Sequence, residues 1–194
     1  MSDLPAPYAR RYTAQAKLFS LLGNAFEIFD GSGQLAFFAK QKAFAWKEKL
    51  TIFRDRGQTQ PMVTVNARQI SDFNVTFDIA DAATGDKVGA ARRKGLKSLF
   101  KDEWSVLDTS DREVGLMVES GGLLSALRRL IDLLRFLPQS YTITLNGQEE
   151  ATVRQRFNFF RLRYDVEVTG SGIDPRMVVG LVVLLLAIEG KRDG

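Results

Sequence analysis

The fold is decided by residues 174–188, which read Asp174-Pro175-Arg176-Met177-Val178-Val179-Gly180-Leu181-Val182-Val183-Leu184-Leu185-Leu186-Ala187-Ile188. From Met177 onward the segment has no polar face. Asp174 can accept backbone N–H bonds as an N-cap, Pro175 suits the first helical turn, and Glu189-Gly190-Lys191 supplies a stop. These signals predict a helix over residues 174–189, and a helix without a polar face must be surrounded by apolar material.

The length of this segment indicates whether lipid or protein surrounds the helix. The residues from Met177 to Ile188 rise ~18 Å at ~1.5 Å each, whereas a membrane helix must cross a hydrocarbon core of roughly 30 Å. We therefore expect the helix to lie inside the protein. The four β-branched valines of this segment, at positions 178, 179, 182 and 183, also fit a buried strand, so the sequence leaves that alternative open.

The composition fits a globular domain and removes several kinds of chemistry. The chain has 194 residues, 45% of them hydrophobic and 26% charged, which is ordinary for one well-buried domain. It contains no cysteine and no histidine, which excludes thiolate nucleophiles, disulfides, histidine acid–base pairs and metal sites built on either residue. The net charge of +4 permits an anionic partner without requiring one. The segment from Met1 to Pro7 lacks the features of a secretion signal, which favours a cytoplasmic location.

Short strands joined by tight turns fill most of the chain. Residues 1–14 show no periodic apolar pattern and are predicted to form a flexible N-terminal arm, whereas residues 15–194 are predicted to form a single domain. Pairs such as Asn146-Gly147 are typical of hairpin turns, and alternating apolar and polar residues indicate half-buried strands. The predicted strands are Gln15–Leu22, Ala25–Phe29, Gln34–Ala39, Ala43–Phe53, Met62–Ile70, Phe73–Ile79, Lys87–Arg93, Trp104–Leu107, Val114–Glu119, Gln139–Leu145, Glu150–Phe157 and Leu162–Val168.

The succession of hairpins predicts how the strands are arranged. Ten to twelve strands with short connections argue for a single antiparallel sheet. An open sheet of that size would curl and expose its edges, and closure into a barrel removes those edges. The side chains of the wall just fill the interior of a barrel of about eight strands. A larger barrel therefore leaves room for the helix at 174–189. We therefore predict a mainly β fold, a closed antiparallel barrel of about twelve strands around a central hydrophobic C-terminal helix.

A second helix is predicted over Gly121–Leu137, where it ends at Pro138. Its leucine-rich face is apolar and its opposite face is basic, with Arg128, Arg129 and Arg135. Such a helix can cover an end or a wall of the barrel. Alternatively, it can lie on an anionic membrane surface.

The motifs that resemble phosphate or metal sites are better explained as turns. Gly31-Ser32-Gly33 joins two strands and lacks the third glycine and the following helix of a dinucleotide site. Asp78, Asp81 and Asp86 lack the spacing and the closing glutamate of a calcium loop. We therefore predict no catalytic residue, no metal site and no cofactor.

Residues 92–101 form a basic segment with Arg92, Arg93, Lys94, Lys97 and Lys101, interleaved with leucine and phenylalanine. Clustered cations over apolar side chains suit anionic lipid headgroups. Nucleic-acid phosphate would also suit them, but the aromatic residues needed for base stacking are few, so a nucleic-acid partner is not expected. A solvated barrel rim is the other interpretation. The predicted headgroup-binding residues are Lys40, Lys42, Arg92, Arg93, Lys94 and Lys97.

Several segments resemble a known family when they are taken in order. They are Phe26-Glu27-Ile28-Phe29-Asp30 with Gly33, Lys40-Gln41-Lys42, Trp46-Lys47-Glu48-Lys49-Leu50-Thr51-Ile52-Phe53, Ala67-Arg68, Ala91-Arg92-Arg93-Lys94-Gly95-Leu96-Lys97-Ser98, Asp102-Glu103-Trp104, and the closing apolar helix with Ile188-Glu189-Gly190-Lys191. Over roughly residues 15–191 the chain resembles the LURP-one-related proteins of the tubby-like and phospholipid scramblase superfamily. The resemblance implies a closed barrel of twelve antiparallel strands around a hydrophobic C-terminal helix.

The function implied by the resemblance is less uniform than the fold. Tubby-like domains bind phosphoinositides, scramblases act on phospholipids with calcium, and many LURP-one-related members have no assigned activity. This chain lacks a cysteine-rich lipidation segment and an acidic calcium loop before residue 174, and both departures weigh against calcium-driven scrambling.

These observations lead to one principal expectation and its alternatives. We expect a non-catalytic cytoplasmic module with no transmembrane segment that associates peripherally with anionic phospholipid or phosphoinositide headgroups. The alternative is a protein-interaction or regulatory scaffold without a lipid ligand. A phospholipid scramblase is a third, less favoured interpretation.

Overall fold

Twelve antiparallel strands close into a barrel around one helix in the computed structural model. The structure describes residues 7–17, 24–41, 49–70, 74–94, 103–120, 138–156 and 161–192. The strands are β1 Arg11–Lys17, β2 Asn24–Asp30, β3 Leu35–Gln41, β4 Leu50–Phe53, β5 Pro61–Ile70, β6 Asn74–Asp81, β7 Lys87–Lys94, β8 Glu103–Leu107, β9 Glu113–Ser120, β10 Ser140–Leu145, β11 Gln148–Arg156 and β12 Arg161–Val168, and the helix is α1 Pro175–Arg192.

Consecutive strands pair with each other throughout, and pairing of β1 with β12 closes the barrel. This confirms the predicted fold class. Along β12 the burial alternates strictly, with Leu162, Tyr164, Val166 and Val168 buried. Because successive side chains of a strand point to opposite faces, these apolar residues line the interior and the charged residues between them face outward.

Helix α1 occupies the interior of the barrel. Its start matches the prediction, since Asp174 Oδ1 accepts the N–H of Arg176 at 2.8 Å and the Asp174 carbonyl accepts that of Met177 at 2.9 Å. Every residue from Met177 to Ile188 is buried. The helix continues beyond the predicted stop to Arg192, since one interior glycine weakens a helix by only about 1 kcal/mol. The alternative that these residues form a strand is wrong.

The helix and the wall approach each other closely where glycine is present. A Cβ built at Gly89 on β7 would lie 2.5 Å from Met177 Cε and 2.6 Å from the Leu107 carbonyl oxygen. A side chain at residue 89 would therefore require the Leu107 backbone of β8 to shift, whereas the flexible end of Met177 could move aside. The barrel is wider than its own wall side chains can fill, and α1 fills the remainder.

The two ends of the barrel differ in their connections. At the turn end, the even-numbered strands finish, and α1 enters the barrel there after β12. Arg176 Nη1 lies 3.0 Å from Asp81 Oδ2, which ties the first turn of α1 to the end of β6. Glu150, which is 5% exposed, accepts the N–H groups of Gly172 at 2.8 Å and Ile173 at 3.2 Å. At the opposite end, here called the rim end, the odd-numbered strands finish and α1 ends.

One predicted boundary differs from the structure, and two predicted elements lie wholly or partly outside the described residues. Strand β1 begins at Arg11, so the predicted arm of residues 1–14 extends too far. The apolar signal there is weak because Ala14 and Ala16, which face the interior, are small. The predicted helix Gly121–Leu137 and the first part of the predicted strand Ala43–Phe53 lie outside the described residues.

Within the described ranges, no helix has the length and apolar character needed to cross a bilayer.

Candidate functional site

Lys40 lies near the end of β3, at the rim end of the barrel. Its side chain is exposed, whereas its neighbours Ala39 and Gln41 are buried. Since Ala39 pairs with the buried residue Phe26 on β2, Ala39 faces the interior and Lys40 faces outward. The position of Lys40 therefore leaves its ammonium group available to a ligand outside the barrel.

Arg92 lies near the end of β7, at the same end of the barrel as Lys40. It pairs with Thr76 on β6 and Ser105 on β8, and its Nε is 3.4 Å from Thr76 Oγ1. By the alternation of β7 it shares the outward face, and it is half-buried. The two cations thus share one end and one face of the wall.

Arg93 lies on the inner face of the same strand. It pairs with Val75 and Trp104, and its Cζ lies 5.7 Å from the centroid of the Trp104 ring. Trp104 is 1% exposed and belongs to the hydrophobic core. A guanidinium over an indole face is a favourable cation–π contact. The neighbouring arginines 92 and 93 are therefore on opposite faces of the wall.

The remaining predicted binding residues are only partly described. Lys94 is the last residue of β7, and Lys42 and Lys97 lie outside the described residues. Strands β3 and β7 are separated by β4, β5 and β6, which places Lys40 and Arg92 about 19 Å apart along the wall at ~4.8 Å per strand. We refer to Lys40, Arg92 and Lys94 as the basic rim. Its described members are spread along a surface and do not form a pocket.

The aspartates considered for a calcium loop make contacts within the protein. Asp78 pairs with Arg68, and Lys87 Nζ lies 3.7 Å from Asp78 Oδ1. Asp81 accepts the N–H of Thr84 at 3.1 Å in addition to its ion pair with the helix. The Thr84 N–H and the Arg176 guanidinium keep the pKa of Asp81 below its ordinary value. In the part of the chain that the structure describes, no group of three or more acidic residues could hold a metal ion.

Comparison with known proteins places this barrel in a family. A model of the LURP-one-related family matches residues 10–186. The chain belongs to the LURP-one-related family. This confirms the family resemblance, while the wider tubby-like and scramblase connection stays a prediction.

The barrel of this LURP-one-related protein also resembles a solved structure. An X-ray structure of a protein from Arabidopsis thaliana superposes with a TM-score of 0.53, with 16% sequence identity and coverage of 94% of each chain. At that identity, the likeness shows a shared fold alone. No curated protein matches the chain.

This LURP-one-related barrel carries a second set of cations that was not predicted from the sequence. Arg154 and Arg156 alternate along β11, and Arg161 and Arg163 alternate along β12. These arginines are not consecutive in sequence, and a strand brings every second residue to one face, so runs of basic residues do not reveal them. Basic residues at every second position of two consecutive predicted strands were the sequence signal that could have identified this set.

Proposed function

We propose that this LURP-one-related protein is a non-catalytic module that binds anionic phospholipid headgroups through the basic rim. Membership of the family and the barrel fold favour a non-catalytic role. The observation that carries the lipid proposal is the shared placement of Lys40 and Arg92, which face outward at the same end of the barrel.

The spread of these cations suits a membrane surface better than a compact ligand. A lipid surface presents many phosphate groups over a wide area, so residues about 19 Å apart along the wall can each meet one. Each lysine or arginine near an anionic surface contributes about 1 kcal/mol, and salt screens the attraction. The expected binding is therefore peripheral, reversible and sensitive to ionic strength.

Arg93 has a different role in this proposal. Its guanidinium is held over Trp104 on the inner face. We therefore assign Arg93 to packing of the rim end and the headgroup contacts to its neighbours Arg92 and Lys94.

Co-sedimentation with vesicles tests the proposal. We expect the full chain to sediment with phosphatidylserine vesicles, to remain in solution with neutral phosphatidylcholine vesicles, and to dissociate as salt is raised. The double variant Lys40→Gln and Arg92→Gln should bind the anionic vesicles more weakly. The matched control is Arg112→Gln, because the Arg112 side chain is 79% exposed and lies at the turn end.

Equal sedimentation with neutral and anionic vesicles would contradict the proposal, as would equal losses in the rim variant and the control. The alternative of a protein-interaction scaffold predicts no vesicle binding together with a stoichiometric protein partner in an affinity pull-down. Equal losses in the rim variant and the control, or the absence of vesicle binding, would reassign the rim as a solvated surface.

A further inference from the structure

A groove of about 550 Å³ crosses the outer wall of the barrel on the strands that close it. It is lined by residues of β2, β1, β12 and β11, including Phe29, Thr152, Arg154, Arg156 and Arg163. Its volume falls within the range of roughly 300–1,000 Å³ that small-molecule sites occupy. The groove lies on different strands from Lys40 and Arg92, and neither of those residues belongs to its lining.

Three arginines on the outer face concentrate positive charge in this groove. Arg156 on β11 lies directly opposite Arg163 on β12, and Arg154 is two residues before Arg156 on the same face. Like charges directly opposite each other on neighbouring strands are destabilising. Asp165 pairs with Arg156 and offsets part of that repulsion, and an anion beside Arg154 and Arg163 would offset the positive charge that remains.

The acidic residues of the groove already have partners. Glu167 Oε1 lies 3.2 Å from Arg11 Nη2, and Asp165 pairs with Arg156. Asp30 Oδ1 accepts the Ser32 hydroxyl at 2.6 Å and the Ser32 N–H at 2.9 Å. These acidic residues are therefore engaged with other groups, and they do not provide ion-pair partners for Arg154 and Arg163.

Two of the three arginines keep their donors available. Neither Arg154 nor Arg163 forms an ion pair within the described ranges, and the buried Nε of Arg163 has no hydrogen-bond partner there. A buried donor without an acceptor is unfavourable, and such groups in native proteins call for an explanation. An acceptor brought by a ligand would supply the missing bond.

We propose that this groove binds a small phosphate-bearing molecule, with the phosphate oxygens held by Arg154, Arg156 and Arg163. The planar, forked guanidinium donors match the geometry of phosphate oxygens, and one phosphate offers enough oxygens to meet three arginines. Thr152 adds a hydroxyl to the lining, and the half-buried ring of Phe29 offers an apolar surface to the rest of the molecule. This site lies beyond the headgroup-binding rim and does not depend on it.

Isothermal titration calorimetry of the full chain tests the site, with inorganic phosphate and phenyl phosphate as probes and phenol as the uncharged comparison. We expect saturable binding of the two phosphates and none of phenol. Removing one charge-assisted hydrogen bond should weaken binding about ten-fold or more in Arg163→Gln and in Arg154→Gln. Arg163→Lys should also weaken binding, because lysine keeps the charge and loses the fork. Arg112→Gln, outside the groove, should bind as the parent does.

Several outcomes distinguish this site from the basic rim. In one outcome the chain binds only vesicles that contain a phosphorylated lipid, and this binding is lost in Arg163→Gln but kept in the Lys40→Gln and Arg92→Gln variant. That outcome would support the site and identify a lipid as the source of the phosphate. Absence of saturable binding in both formats would overturn the proposal. Unchanged affinity in Arg154→Gln and Arg163→Gln would also overturn it. Arg154 is exposed, so its variant provides the measurement if Arg163→Gln does not fold.

Discussion

Ile79 on β6 packs directly against Gly180 on the central helix. A Cβ built at Gly180 would lie 2.8 Å from Ile79 Cδ1 and 3.0 Å from its Cγ2. Ile79 is fully buried, and Gly180 is buried as well. The helix backbone approaches the wall this closely because residue 180 has no side chain, so the contact sets which side of α1 faces β6.

The first prediction concerns this contact. Gly180→Ala should lower the free energy of unfolding by up to about 2 kcal/mol, because overpacking costs about 1–3 kcal/mol and alanine returns about 1 kcal/mol of helix propensity. Ile79→Val removes the nearest atom, so adding Gly180→Ala to that variant should cost less. Urea denaturation of the four proteins measures the coupling, which we expect to exceed about 0.5 kcal/mol. Additive effects would contradict the contact.

The second prediction concerns the loop that leads into α1. Glu150→Ala should lower the free energy of unfolding by about 2–3 kcal/mol, because the N–H groups of Gly172 and Ile173 would lose their acceptor. Glu150→Gln keeps a carbonyl oxygen and should lose less. Thermal unfolding followed by circular dichroism provides the comparison, with Glu149→Ala as the exposed control. Equal stability of Glu150→Ala and Glu149→Ala would refute the role of the Glu150 carboxylate.

The third prediction concerns the interior of the barrel. Val182→Lys or Leu185→Lys should prevent accumulation of soluble folded protein, because residues that are 2% and 1% exposed would carry an unpaired buried charge. Thr109→Lys introduces the same side chain in an exposed turn and should be tolerated. Soluble expression and a cooperative melting transition are the measurements. A stable, soluble Leu185→Lys protein would be incompatible with a helix inside the barrel.

The fourth prediction concerns stability at acid pH. Asp111 Oδ2 lies 2.7 Å from Arg68 Nη1, and Asp111 Oδ1 lies 2.6 Å from Lys87 Nζ. Hydrogen bonds from Arg68 and Lys87 lower the pKa of Asp111 well below its ordinary value of 3.8. A carboxylate with a lowered pKa stabilises the fold above its unfolded-state pKa, and that stabilisation is lost as the pH falls through the folded-state pKa.

The melting temperature of the parent protein should therefore fall as the pH is lowered below about 4. Asp111→Asn should show a smaller decrease over the same interval, since the titrating group is absent. Asparagine also tolerates the left-handed backbone conformation at this position, where φ is 65°. Parallel pH profiles for the two proteins would rule out a contribution from Asp111.

Much of the fold was predictable because its signals are local. Alternation along β6 and β12, turn pairs such as Asn146-Gly147, and the cap at Asp174 each act over a few residues, so they can be read without knowing the partner strand. The start of β1 was misplaced because interior alanines give little apolar contrast. The clustering of Arg156 with Arg163 depended on the pairing of two strands, and local periodicity does not specify that register.

Residues 174–188 combine properties that the segment has on its own with others that depend on distant strands. The sequence by itself determined that residues 174–188 avoid water and that a helix of this length is too short to cross a bilayer, because composition and helical rise are properties of the segment alone. The capping signals favoured the helix, and the structure excluded the buried strand that the valines also fitted. The tertiary structure decided what surrounds that helix, because burial requires strands distant in sequence to close, as β1 closes on β12. That closure also formed the arginine groove, and the pairing of β7 with β8 turned Arg93 onto Trp104 while Arg92 stayed outside.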